Sequence, residues 1–138
     1  VDEVVAREPA SLKFWLHGRA PFTIDQSGGR IALTFGKASI SGFLLSPGGL
    51  RTVQTDKYPI PPENGKTRPE WHLSSETLQK QTHARFVAVL GVGKAGETIP
   101  LEGVEDVSHG NDIAIQFRHA GKRVSVAIDP AGPSVSVR

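Results

Sequence analysis

The apolar residues of this chain recur every second position. Leu12, Phe14 and Leu16 alternate with Lys13, Trp15 and His17; Ile31, Leu33 and Phe35 alternate with Ala32 and Thr34. Near the end, Ile113, Ile115 and Phe117 alternate with Ala114, Gln116 and Arg118, and Val124, Val126 and Ile128 alternate with Ser125 and Ala127. A period of two marks strands with one face buried and one face wet. Turn signals separate the runs: Gly28-Gly29, Pro47-Gly48-Gly49, Gly93 to Gly96, His109-Gly110-Asn111, Ala120-Gly121 and Pro130 to Pro133. The pattern predicts about ten strands, near 1–5, 11–17, 21–25, 30–36, 38–45, 50–56, 70–76, 82–91, 112–118 and 122–128, with 134–137 as a candidate for one more. The fold class that follows is all-β, an antiparallel two-sheet β-sandwich, with a barrel as the alternative.

Local features refine this picture. The apolar parity changes around Gly42, from Ala38 and Ile40 to Phe43 and Leu45, which suggests a β-bulge. "YPIPPENGKTRP", residues 58–69, holds four prolines and reads as a long surface loop. Residues 74–81 form one short helical turn at most. By alternation Trp71 shares parity with Leu73 and points into the core, while Glu70, His72 and Ser74 point away.

The 138 residues suit a single domain spanning 1–138, and 38% hydrophobic content can supply its core. Cysteine is absent, which removes disulfides, thiolate metal sites and thiol nucleophiles. Methionine is absent too, and the chain begins at Val1, so it reads as a processed product or an excised or C-terminal part of something longer. No apolar run reaches the ~18 residues needed to span a bilayer, and no membrane partner is expected. The net charge is +2, with the basic residues scattered. Arg118, His119, Lys122 and Arg123 cluster, but a turn divides them. No nucleic-acid partner is expected, because that footprint is a basic stripe with interleaved aromatics.

Motifs for catalysis are missing. The histidines His17, His72, His83, His109 and His119 lack the spacing that sets two zinc ligands on one helical face, so they read as strand and turn residues. "GVGKAG", residues 91–96, has Ala95 where a phosphate loop needs a hydroxyl, and Gly96 and Pro100 oppose the helix behind it. No nucleophile elbow is present. Asp25, Asp56, Glu70, Glu76, Asp106, Asp112 and Asp129 fall mostly at strand ends, where carboxylates cap backbone amides. No catalytic residue, metal ligand or cofactor is expected. Lys13, Trp15 and His17 do form an outward strip of cation, flat aromatic and imidazole, the composition of a carbohydrate contact. The rival reading of that strip is a surface packed against a neighbouring domain.

Several segments carry a family resemblance: the Asp2-Glu3 opening, "FWLHGRAPFTID" at 14–25, "FLLSP" at 43–47, "EWHLS" at 70–74 and "FRHAGKRVSVAIDP" at 117–130. In this order they resemble the C-terminal β-sheet region of heparinase II/III-like bacterial polysaccharide lyases. The match is weakest over 92–111. The resemblance implies a parent with an α/α-toroid before the sandwich layers, cleaving uronic-acid-containing glycans by β-elimination in the periplasm or outside the cell. It implies a non-catalytic supporting role for this chain, with the parent's other domains and an acidic polysaccharide as partners. The family's catalytic Tyr and His and its metal-binding histidines belong to the toroid and early sheet segments, so none maps onto a position here. A free-standing carbohydrate-binding module and a general interaction sandwich are the alternatives.

Overall fold

The structure, a computed structural model, describes residues 1–27, 29–57, 70–110, 112–129 and 132–137, with backbone alone at 129 and 132–135. The described residues form twelve strands and no helix: β1 (Asp2–Ala10), β2 (Lys13–Gly18), β3 (Thr23–Asp25), β4 (Arg30–Phe35), β5 (Ala38–Leu45), β6 (Leu50–Thr55), β7 (Trp71–Thr77), β8 (Gln81–Lys94), β9 (Leu101–Asp106), β10 (Ile113–His119), β11 (Lys122–Asp129) and β12 (Gly132–Val137). All pairings are antiparallel. The expected all-β antiparallel sandwich is therefore what forms, and its strands divide into three sheets. A central sheet has the order β1-β8-β5-β4-β3, a small one β2-β7-β6, and a third β12-β11-β10-β9. No helix among the described residues is long and apolar enough to cross a membrane.

Two cores lie on opposite faces of the central sheet. On one side Phe22, Ile31 and Leu44 pack with Leu73 of the small sheet, and Phe14, Leu16, Ile40 and Trp71 close around them. On the other, Val87 packs with Ile99, Leu101, Val104 and Ile115, with Phe43, Leu45 and Val89 against them. Alternate residues of β5 and β8 thus enter different cores, which explains the parity change seen around Gly42. Both faces of β5 are apolar because both are covered. There is no bulge at Gly42: β5 keeps one register with β4 from Ala38 to Phe43 and with β8 from Ala38 to Leu45.

The register shifts instead in β9. Glu105 pairs Gln116 and Glu102 pairs Arg118, so two residues, Gly103 and Val104, oppose Phe117 alone. Gly103 has φ +57°, the left-handed conformation of a bulge that begins on glycine. The extra residue turns both Leu101 and Val104 inward despite their odd spacing. That spacing is why alternation did not reveal β9.

Other expectations meet their outcome here. β1 runs beyond residue 5 to Ala10, and residues 74–77 continue β7 as strand rather than helical turn. Residues 58–69, read as a proline-rich loop, lie outside the described residues. β8 extends through Lys94, and its glycines serve packing: a Cβ on Gly91 would overlap the Ile99 side chain, and one on Gly93 would sit 3.3 Å from it. The Ala120-Gly121 turn forms as expected, with φ of 49° and 77°, the left-handed pair that a tight hairpin requires. It joins β10 to β11, where Arg118 pairs Arg123 and His119 pairs Lys122.

Candidate functional site

The outer face of the small sheet gathers Lys13, Trp15 and His17 with His72 and Glu76. Alternation along β2 turns Lys13, Trp15 and His17 away from the core, while Phe14 and Leu16 face inward. The register with β7 and β6 arranges this face as three cross-strand rows: Lys13–Glu76–Arg51, Trp15–Ser74–Val53 and His17–His72–Thr55.

The first row is ionic. Glu76 accepts a hydrogen bond from Arg51 Nη2 at 3.1 Å, and Lys13 Nζ stands 3.9 Å from the same oxygen. The Arg51 hydrogen bond holds the Glu76 carboxyl below its ordinary pKa; partial desolvation opposes this, and Ser11 and Lys13 assist it. In the second row Ser74 is buried although it faces outward, because its neighbours in register are both large. Trp15 remains 49% exposed and Val53 52%, so the row presents a flat apolar patch.

The third row brings two histidines together. His17 Nδ1 and His72 Nδ1 lie 2.9 Å apart, with ring planes at 88°. Glu70, the residue before β7, lies beside them, and one donor atom from each of the three falls within 4.8 Å of the others. His17 is exposed, Glu70 half-buried and His72 buried.

Lys13, Trp15 and His17 therefore share one face, as alternation implied, and Trp71 turns inward while His72 and Ser74 turn outward. Sequence reading had no sight of the contact between His17 and His72, since the register that joins positions 55 residues apart is not a local pattern. The available signal was that "WLH" and "EWH" each set a histidine on the outward parity of a strand.

Asp25, Asp106, Arg85 and His83 have structural partners. Asp25 accepts from the Ser27 amide and hydroxyl, and Asp106 from those of Ser108, both as turn caps. Arg85 pairs Glu3 at 2.8 Å and approaches Asp106 at 3.9 Å, tying β1 and β8 to β9. His83 lies 3.9 Å from Glu3.

The class defined by these observations is an antiparallel β-sandwich with a charged, aromatic and imidazole-bearing outer face. No family model matches the chain, and no curated protein matches it.

Proposed function

We propose that this chain is a non-catalytic β-sandwich domain of a heparinase II/III-like polysaccharide lyase, completing the sheet stack beside the catalytic part of its parent. One observation carries the reading: three of the five sequence segments that resemble the family meet in one core. "FWLHGRAPFTID" supplies β2, the corner after it and β3, and "EWHLS" opens β7, which pairs β2 residue for residue from Lys13–Glu76 to Gly18–Trp71. Leu44 of "FLLSP" joins Phe22 and Leu73 of those segments in one core. In this reading the partners are the parent's other domains and an acidic polysaccharide, and the compartment is periplasmic or extracellular.

The test has two arms. The chain alone, incubated with uronic-acid-containing glycans, is expected to generate no unsaturated uronate absorbance, whereas its parent does so. Cleavage by the chain alone would refute the non-catalytic role. An encoding gene with no helical toroid upstream would refute the family assignment.

A second reading, a carbohydrate-binding module, is favoured by one specific feature. Half-exposed Trp15 lies between Lys13 and His17, with Arg51 in the neighbouring row, so an aromatic platform stands beside cations suited to a uronate. A general interaction sandwich is the remaining alternative, and it has no feature of its own in its favour.

A further inference from the structure

We propose that His17, His72 and Glu70 form a zinc site that clips β2 to the start of β7. The inference goes beyond the lyase reading and stands without it. Its basis is the convergence of three metal-ligating groups from two strands whose register was set by an apolar core on the opposite face.

The donor set favours zinc over hard cations. Imidazole nitrogen suits Zn2+, whereas Mg2+ and Ca2+ select oxygen cages. Two histidines and one glutamate are a familiar zinc set that leaves a further position for water. With bonds of about 2.0–2.1 Å, two nitrogens on one tetrahedral zinc stand about 3.3 Å apart. The 2.9 Å between the Nδ1 atoms of His17 and His72 needs only slight opening to reach this. Both rings already turn the same nitrogen, Nδ1, toward the other. Glu70, which precedes β7 rather than lying within it, brings its carboxylate into the same cluster, the three donor atoms lying within 4.8 Å of one another.

Burial is graded in the way a loadable site requires. His72 is 8% exposed and fixed by the sheet, Glu70 is intermediate, and His17 lies open to solvent as the entry side. The other histidine–carboxylate contact on β8, His83 with Glu3 at 3.9 Å, has one imidazole and one carboxylate, and both are well exposed.

The experiment is a calorimetric titration of the metal-free 138-residue chain with Zn2+, paired with the visible spectrum of the Co2+ form. One equivalent of zinc is expected to bind, raising the melting temperature, and Co2+ is expected to show the intense bands of a four-coordinate nitrogen–oxygen site. His17→Ala, at an exposed position, is expected to fold and to lose more than about tenfold in affinity, since losing even a hydrogen-bond partner of a ligand costs that much. Glu70→Gln keeps the side-chain shape and is expected to weaken zinc and change the Co2+ spectrum. His83→Ala is expected to bind as the parent chain does. Failure of the unsubstituted chain to bind one equivalent would overturn the site, as would undiminished binding by His17→Ala. Unaltered affinity and Co2+ spectrum in Glu70→Gln would overturn the three-ligand assignment. Should His17→Ala melt before metal is added, His17→Gln gives the same reading.

Discussion

Gly42 faces the carbonyl oxygen of Val89 so closely that a Cβ on Gly42 would overlap it, and Leu90 Cα lies 2.9 Å from the same point. The Leu90 side chain can rotate away, but a paired strand's backbone cannot. Gly42→Ala is therefore expected to destabilise the fold by about 1–3 kcal/mol, the cost of overfilling a packed interior. A urea titration checks this as a lower midpoint at unchanged slope.

Thr52 and Ser75 make the buried polar contact of the small sheet, with their hydroxyls 2.9 Å apart on its inner face. Ser75→Ala is expected to cost about 1–3 kcal/mol by leaving the Thr52 hydroxyl without its bond. Thr52→Val with Ser75→Ala should cost less than the two singles added together, because the double variant leaves neither hydroxyl stranded. Strict additivity in the denaturation cycle would show that the bond contributes nothing.

These two sites also show what could be read from sequence. β2 was legible because only its Phe14 and Leu16 face is covered, so alternation reports burial directly. β5 is legible as a strand but not as a strand with two buried faces; its lost alternation imitates a bulge. β9 was missed because the bulge at Gly103 converts a spacing of three into a shared inward face. The composition of the outward strip followed from parity. The meeting of His17 with His72 and Glu70 depended on strand register, which local periodicity does not encode.

The Glu76 carboxyl titrates below its ordinary value of 4.5, first because Arg51 donates a hydrogen bond to it. A carboxyl depressed in the folded state stabilises above its unfolded pKa, and this stabilisation disappears as pH falls through the folded value. In Arg51→Met the Glu76 midpoint should move up toward 4.5, and the acid loss of stability should begin at higher pH. Carboxyl carbon shifts followed by NMR against pH measure the first effect directly. An unmoved midpoint would assign the shift to Ser11 and Lys13 instead.

Trp15 is half-exposed on the outer face and covers Ser74, so Trp15→Ala is expected to cost about 1 kcal/mol, the scale of a cross-strand aromatic contact, and to leave the fold intact. If the face binds glycan, acidic oligosaccharides should perturb the tryptophan emission of the unsubstituted chain, and Trp15→Ala should abolish binding measured by calorimetry. Neutral oligosaccharides should bind more weakly, since Lys13 and Arg51 flank the platform. Equal affinity for both classes would remove the cations from the recognition.

The sharing of β5 and β8 between two cores has a consequence for how this molecule comes apart. Leu44 and Ala88 belong to one core, and Phe43, Leu45, Val87 and Val89 to the other, on the same two adjacent strands. Loosening either core frees one side of the ladder that the other core rests on, so neither layer can open to solvent alone without weakening its opposite. Three sheets connected in this way are expected to open as one cooperative unit, with the slowest-exchanging amides in the β5–β8 ladder.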